Sequence, residues 1–239
     1  MTPPSMDWDA AYRQPTPPPW SIGRPQPELE VLIDHGKVRS DVLDAGCGHA
    51  ALSLVLAARG YTVVGLDASA TAVEAAAAAA AEQGLTTATF AHADVTTFRG
   101  YPPGSEGRFS TILDSGLFHV LPPDRRQDYL QSIFRAGAPG AALYILAFAA
   151  GALGDQDDSE RPGPRGFTET ELRDTVSTLC KVDDLCPAKL YGNDDALASS
   201  RGLLPNVEHD NDGHFVAPGF LLSLRMLFSA QRAGCADNG

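Results

Sequence analysis

An acid and two glycines stand together where an apolar strand turns into a helix. Asp44, Gly46 and Gly48 follow the apolar residues 42–43, and residues 51–59 form a helix-compatible segment. Glycines allow a ligand to approach the backbone closely, and the first N–H groups of a helix are free to meet it. An acid at the strand end favours a ligand with a positive charge or a sugar hydroxyl over a pyrophosphate. The pattern therefore predicts a ligand site at this turn.

The glycine spacing separates this turn from the usual dinucleotide-binding fingerprint. That fingerprint requires a third glycine where this chain carries Ala51. An NAD(P)-dependent oxidoreductase is therefore the less favoured alternative, and it also leaves Asp94 without a role.

A second acid closes the next predicted strand. Asp67, with Ala68 beside it, follows the segment 61–66 and lies roughly twenty residues beyond the glycine turn. Nucleotide-binding α/β folds place a carboxylate at that distance to accept from ribose hydroxyls. The alternative for Asp67 is a cap of the helix predicted at 70–83.

A third acid follows the strand predicted at 87–91. Asp94 and its neighbour Val95 reach the same ligand edge of the sheet, where an acid accepts from an adenine amino group. The alternative for Asp94 is an ordinary acid in a surface turn.

The fourth predicted strand, 109–113, opens into a mixed polar and apolar loop. Asp114 and Ser115 end the strand, and Phe118 and His119 follow in the loop. Open α/β sheets present groups to their ligands at such strand ends. We expect His119 to contact the substrate, as a general base where the substrate is weakly acidic, with Phe118 as a flat apolar neighbour. The alternative for His119 is a histidine that only packs within the loop.

The surrounding elements alternate between strand and helix, which is typical of a doubly wound α/β sheet. Strands are predicted at 141–148, 181–190 and 220–228, and Phe148 ends the first of these beside the expected substrate site. Residues 149–166 are predicted to form a lid-like loop and residues 193–218 an irregular insertion. His209 and His214 in that insertion match no metal-binding spacing, so no metal is predicted.

Composition sets further bounds. A chain of 239 residues suits one globular domain, assigned here to residues 28–239. The net charge of −12 argues against a nucleic-acid partner, because nucleic-acid binding requires a basic face. The sequence shows neither an apolar run of membrane-spanning length nor a targeting segment, so we expect a cytoplasmic protein without a membrane partner.

Residues 1–27 form a proline-rich arm that carries large aromatic side chains. Trp8, Tyr12 and Trp20 are unusual in a disordered tail, so we expect the arm to dock on the domain. Trp20, Ile22 and Arg24 then lie across the mouth of the ligand site. The alternative is an aromatic anchor without a functional contact.

Four segments together resemble the core of class I S-adenosylmethionine (SAM) methyltransferases: Asp44-Ala45-Gly46-Cys47-Gly48, Gly65-Leu66-Asp67, Ala93-Asp94-Val95 and Asp114-Ser115. The resemblance implies a seven-stranded sheet of order 3-2-1-4-5-7-6 with strand 7 antiparallel. It also implies SAM as cofactor and S-adenosylhomocysteine as product. The cofactor-binding residues so implied are Trp8, Tyr12, Trp20, Asp44, Gly46, Gly48, Asp67, Ala68, Asp94, Val95, Asp114 and Ser115.

The arm resembles that of the thiopurine, thiol and halide methyltransferases, where aromatic side chains close over SAM. The run 19–27 together with Asp-Ser-x-Leu-Phe-His at 114–119 is more similar to bacterial heterocyclic toxin methyltransferases. That resemblance implies detoxifying methylation of a small aromatic acceptor such as a hydroxyquinolone. The substrate-binding residues so implied are Trp20, Ile22, Arg24, Phe118, His119 and Phe148. Methylation of a thiol or a nitrogen, and a non-catalytic SAM-binding protein, are the alternatives.

Overall fold

A computed structural model describes residues 6–152, 164–193 and 208–227 of the chain. The helices are α1 (Trp8–Tyr12), α2 (Pro27–Asp34), α3 (Ala51–Ala58), α4 (Ala70–Glu82), α5 (Arg126–Ala136) and α6 (Glu169–Val176). The strands are β1 (Val42–Ala45), β2 (Val63–Asp67), β3 (Ala88–His92), β4 (Phe109–Ser115), β5 (Gly137–Phe148), β6 (Cys180–Asn193), β7 (Glu208–His209) and β8 (His214–Met226). Two short 3₁₀ turns, Phe118–Val120 and Pro123–Arg125, precede α5.

The sheet has the order β3-β2-β1-β4-β5-β8-β6. The first five strands of this order are parallel, and β8 inserts antiparallel between β5 and β6. The predicted α/β architecture and strand order are therefore confirmed. One element was not foreseen: the two-residue strand β7 pairs with β8 and makes the sheet eight-stranded.

Buried apolar strands explain why helices cover both faces of this sheet. Every residue of β1 and β2 is buried, as expected of parallel strands enclosed on both sides. On one face the core packs against Leu29 and Ile33 of α2 and Leu56 of α3. On the other face it packs against Tyr129 of α5 and Leu172 of α6. The carboxyl ends of the parallel strands are left free to form a site.

The insertion predicted at 193–218 is wrong in its second half. Residues 208–209 and 214–218 lie in strands β7 and β8, and residues 194–207 lie outside the described residues. Phe215 and Ala217 alternate with less buried neighbours, so this segment carries a short strand pattern that its polar residues obscure. Most of the lid predicted at 149–166 also lies outside the described residues, although Ala149 bridges to Phe167.

The edge strand β6 is covered by the chain that leads from the arm into α2. An edge strand presents unpaired backbone groups that a folded protein must satisfy or shield. The buried side chain of Gln26 does this as a backbone would: its Nε2 donates to the Tyr191 carbonyl at 2.8 Å. Its Oε1 in turn accepts from the Tyr191 N–H at 2.8 Å. Gln26 therefore ties the base of the arm to β6.

Backbone N–H groups two residues before and two residues after Tyr191 on β6 are also hydrogen-bonded. The Lys189 N–H donates to Glu28 Oε1 at 3.1 Å, and the Asn193 N–H donates to the Pro19 carbonyl at 2.6 Å. Residues two apart on a strand send their backbone groups to the same side, so one segment can satisfy all three. Residues 19–28 thus stand where another strand would pair.

Replacing Gln26 with alanine should lower the free energy of unfolding by about 1–3 kcal/mol, because two part-buried hydrogen bonds to Tyr191 are lost. Urea denaturation followed by circular dichroism measures the change. Glu28→Gln is the matched control: it keeps an oxygen that can accept from Lys189 and should leave the midpoint nearly unchanged. An unaltered midpoint for Gln26→Ala would show that the edge is satisfied without it.

Candidate active site

The glycine turn after β1 is pinned by the end of β2. Gly46, Gly48 and Ala50 have positive φ values of 75°, 52° and 62°. The N–H groups of Gly46 and Cys47 donate to the Leu66 carbonyl at 2.8 and 2.9 Å. Because β2 lies beside β1, this carbonyl holds the turn folded back over the edge of the sheet.

Asp67 completes the hold on that turn. Its Oδ2 accepts from the Gly48 N–H at 2.9 Å, and its Oδ1 accepts from the Ser69 N–H at 2.8 Å. Burial raises the pKa of Asp67, and these N–H donors oppose the rise. Each carboxylate oxygen has a second lone pair, so Asp67 keeps acceptor capacity for a ligand. Ala68 beside it is exposed, and its carbonyl lies 3.0 Å from His92 Nε2.

Asp44 is buried at the end of β1. Its Oδ2 accepts from Ser53 Oγ at 2.7 Å, which joins the strand to α3. Burial raises the pKa of Asp44 to about 6, against the opposing hydrogen bond from Ser53. The carboxylate is therefore held next to the turn with one oxygen committed to the fold.

Asp94 remains exposed after β3, and Val95 beside it is buried. Asp94 Oδ1 accepts from the Thr96 N–H at 2.9 Å and from Thr96 Oγ1 at 2.6 Å. Partial burial raises the pKa of Asp94, but the Thr96 hydrogen bonds outweigh it and the pKa lies below its usual value. The Arg125 guanidinium stands 3.8 Å from Oδ2. Asp94 is thus a charged acceptor that faces solvent.

Asp114 does not fit the predicted cofactor contact. It is completely buried, and its carboxylate accepts from the N–H groups of Leu117 and Phe118 at 2.8 and 3.1 Å and from the Tyr129 hydroxyl at 2.8 Å. Burial raises the pKa of Asp114 to about 7, while the Tyr129 hydrogen bond opposes the rise. Asp114 therefore shapes the loop after β4, and its neighbour Ser115 is only partly buried.

Phe118 is likewise corrected from a substrate contact to a core residue. Its side chain is completely buried and stacks on Phe167 with ring centroids 5.3 Å apart and planes 8° apart. Leu117 is instead only partly buried, and a Cβ on Gly46 would come within 3.0 Å of it. Leu117, which sequence reasoning missed, therefore flanks the glycine turn.

His119 is buried against Phe148, with the two ring centroids 4.3 Å apart. The Phe148 N–H donates to His119 Nδ1 at 3.3 Å, which leaves the proton of the neutral ring on Nε2. Burial lowers the pKa of His119 to about 3, and the positive charge of Arg126 acts in the same direction. His119 is therefore a neutral ring that offers a donor. A Cβ on Gly116 would lie 3.8 Å from Nε2.

The arm brings its aromatic residues onto the glycine turn. Trp20 Nε1 donates to the Tyr12 hydroxyl at 2.8 Å, and the Trp20 ring meets Trp8 edge-on at 5.5 Å. Tyr12 also packs on His49 with centroids 4.9 Å apart. A Cβ on Gly48 would lie 2.5 Å from the Tyr12 hydroxyl oxygen. Only glycine at this position lets the arm lie so close.

The side chain of Arg24 lies at the turn between β7 and β8. Its guanidinium lies 3.6 Å from Asp210 and 3.3 Å from Asp212. His214 Nδ1 lies 3.1 Å from the same Asp210 carboxylate. The two carboxylates of Asp210 and Asp212 therefore contact two side chains, those of Arg24 and His214. Ile22 nearby in the arm is partly buried. Arg24 therefore links the arm to this turn, and its contact with the substrate stays a prediction.

Comparison with known proteins places this geometry in a family. Residues 42–140 match the model of a methyltransferase domain. The chain is 50% identical over 194 residues, 79% of its length and 82% of the relative's, to a 2-heptyl-1-hydroxyquinolin-4(1H)-one methyltransferase of Mycobacteroides abscessus. This chain belongs to the class I SAM-dependent methyltransferases.

Solved structures agree on the fold of this methyltransferase. A protein solved in work on the conversion of a disulfide bond into a thioacetal group during echinomycin biosynthesis superposes with a TM-score of 0.74 and 30% identity over 95% of both chains. A Burkholderia thailandensis 1,6-didemethyltoxoflavin-N1-methyltransferase superposes with a TM-score of 0.53 and 21% identity, over 92% of this chain and 80% of its own.

The residues at the glycine turn fit SAM, the cofactor of this family. Asp67 holds the glycine turn through the Gly48 N–H, and its carboxylate oxygens keep lone pairs that can accept from a sugar hydroxyl. Asp94, charged and exposed after β3, follows the strand that pairs with β2.

Within the described residues, no helix is long and apolar enough to cross a membrane.

Three residues of the site escaped sequence reasoning. Leu117 flanks Gly46, His49 packs under Tyr12, and Ser69 bonds to Asp67. His49 was visible as the residue directly after the glycine pair, and Ser69 as a typical helix N-cap. Leu117 had no distinguishing signal.

Replacing Asp67 with asparagine should weaken SAM binding at least about tenfold, because a hydrogen bond to a charged group is worth roughly 1.5–3 kcal/mol. Isothermal titration calorimetry measures the affinity. The control Asp34→Asn removes an exposed acid that pairs with Arg59, away from the turn, and should leave SAM affinity unchanged. Equal affinities for the wild type and the folded Asp67→Asn variant would exclude the assigned contact.

Replacing Gly48 with alanine should displace the arm, because the new Cβ meets the Tyr12 hydroxyl. We expect SAM affinity to fall at least about tenfold through strained backbone and the lost cover. Tyr12→Phe removes the clashing oxygen, so the double variant should bind better than the sum of the two single losses allows. Strictly additive losses would show that the clash is not what weakens Gly48→Ala.

Proposed function

We propose that this methyltransferase methylates a hydroxyl oxygen of a small aromatic heterocycle of the hydroxyquinolone class. The relative from Mycobacteroides abscessus, named for a hydroxyquinolone, supports the acceptor class. The net charge of −12 supports a small molecule over a nucleic acid.

The hydrogen bond that the Phe148 N–H donates to His119 Nδ1 is the observation that carries the proposed role of His119. A ring whose pKa lies near 3 is a poor general base at neutral pH. With Nδ1 taken by the Phe148 N–H, the proton on Nε2 is the one that His119 can donate to a ligand. A donor of this kind suits an acceptor whose own hydroxyl ionises readily, because its oxygen then needs orientation and not deprotonation.

The surrounding surface suits a flat ring. Phe148 packs on His119 at the carboxyl end of β5, and β5 lies beside β4, which ends at Ser115. Trp20, partly exposed in the arm, offers a second aromatic face. We assign His119, Phe148, Trp20 and Ile22 to the acceptor side of the site.

The mechanism consists mainly of positioning the acceptor oxygen and the cofactor relative to each other. SAM supplies a methyl group that is already activated by its sulfonium charge. Asp67 and the glycine turn hold the cofactor side, while His119 orients the acceptor oxygen. The arm residues Trp8, Tyr12 and Trp20 exclude water from the space between.

A sulfur acceptor is the second candidate, favoured by the 30% identical protein from work on the conversion of a disulfide bond to a thioacetal group. Mass spectrometry after incubation with SAM separates the two. The panel is 2-heptyl-1-hydroxyquinolin-4(1H)-one, the same quinolone without its 1-hydroxyl group, thiophenol and a cyclic disulfide peptide. We expect one methyl group on the hydroxyquinolone and none on the quinolone without the hydroxyl. Product from only the sulfur compounds would replace the proposal with the second candidate.

His119→Ala should leave SAM affinity unchanged and lower kcat for the hydroxyquinolone by about ten- to hundredfold, because a hydrogen bond to a charged oxygen is worth roughly 1.5–3 kcal/mol. His119→Gln places an amide N–H near the position of Nε2 and should recover part of the rate.

The pH profile of the wild type distinguishes donor from base. The pKa of His119 is lowered to about 3, so its charge does not change between pH 5 and 9 and no limb of the profile should disappear in His119→Ala. Loss of a limb near pH 6.5 together with a fall of about 10²-fold or more would establish a general base instead.

A further inference from the structure

Asp9 of helix α1 bonds to the start of helix α4. Its Oδ1 accepts from Ser69 Oγ at 2.7 Å and from the Thr71 N–H at 3.0 Å. The hydrogen bond from Ser69, followed by that from Thr71, lowers the pKa of Asp9 to about 2, so the side chain is charged at neutral pH. A carboxylate near the N-terminus of a helix is also favoured by the helix dipole.

Ser69 connects this bond to the cofactor side of the site. It is completely buried, its N–H donates to Asp67 Oδ1 at 2.8 Å, and its Oγ accepts from the Ala72 N–H at 3.1 Å. Asp67 in turn accepts from Gly48. A continuous set of hydrogen bonds therefore runs from Asp9 in the arm to the glycine turn.

Helix α1 depends on such contacts for its place. A helix of five residues has little stability of its own, so the packing of Trp8 and Tyr12 and the bond of Asp9 must hold it. The ion pair of Asp9 with Arg13 contributes little, because the side chains remain 34% and 60% exposed.

We propose that Asp9 is a positioning residue that latches the arm to the N-terminus of α4 and thereby slows the release of SAM. The latch rests on the placement of SAM at Asp67 given under the proposed function. When the arm is latched, Ser69 Oγ has its acceptor and Thr71 N–H is satisfied, and Tyr12 lies over Gly48. When the arm leaves, both donors lose that partner.

The first experiment needs no cofactor. Amide hydrogen exchange at Thr71, followed by NMR in the ligand-free protein, should become about tenfold faster or more in Asp9→Ala. Arg13→Ala is the matched control: it breaks the same ion pair but leaves the latch, so Thr71 should exchange within about twofold of the wild type. Asp9→Asn keeps an acceptor oxygen without the charge and should fall between the two.

The second experiment measures SAM release by stopped-flow fluorescence. Both tryptophans of the chain lie in the arm, so their emission reports on it directly. We expect SAM to dissociate about tenfold faster or more from Asp9→Ala and at the wild-type rate from Arg13→Ala.

Unchanged exchange at Thr71 in Asp9→Ala, or equal SAM release from Asp9→Ala and Arg13→Ala, would overturn the latch. Absence of SAM binding to the wild type would instead refute the cofactor placement, and the exchange at Thr71 would still decide whether Asp9 holds the arm.

Discussion

The end of strand β2 is the constraint on which the site depends. Its Leu66 carbonyl and Asp67 carboxylate take three N–H groups of the turn after β1, so the turn can fold only where β1 and β2 lie side by side. The loop after β4 then packs Leu117 against Gly46 of that turn, and the arm places Tyr12 against Gly48. The candidate site therefore depends on the pairing of β1 with β2, and the loop and the arm pack on the turn that this pairing forms.

The acids at the strand ends differ in what their surroundings permit. Asp114 is buried with three protein donors and builds the loop, whereas Asp94 is exposed and keeps its charge. Asp67 lies between these extremes: two backbone donors hold it, and its oxygens keep lone pairs. Position at a strand end brings an acid to the site, but its burial decides how much of the carboxylate a ligand can reach.

The sheet followed from the sequence because its parallel strands are short apolar runs ended by glycine or an acid, a local pattern that burial on both faces requires. The directions of the side chains in the loop after β4 could not be predicted from the sequence. Residues 118–120 form a 3₁₀ turn, in which successive side chains point about 120° apart, so Phe118 enters the core while its neighbour Leu117 faces the glycine turn. Arg24 was likewise assigned by its place in the arm, whereas its partners lie almost two hundred residues away in a turn that sequence alone does not bring close.

The arm crosses the site because its two ends are fixed at opposite sides of the sheet. Gln26 is bonded at the edge strand β6, and Asp9 is bonded at the helix that follows β2. β6 runs in the same direction as β5, so its end at Asn193 lies on the side where the parallel strands end. Five strand spacings of about 4.8 Å separate β2 from β6 in the sheet order. A chain tied at both points has to pass over the carboxyl ends of β1, β4 and β5, and those ends carry the glycine turn, Ser115 and Phe148. The segment that shields the edge strand is thus the same one that we propose covers the active site.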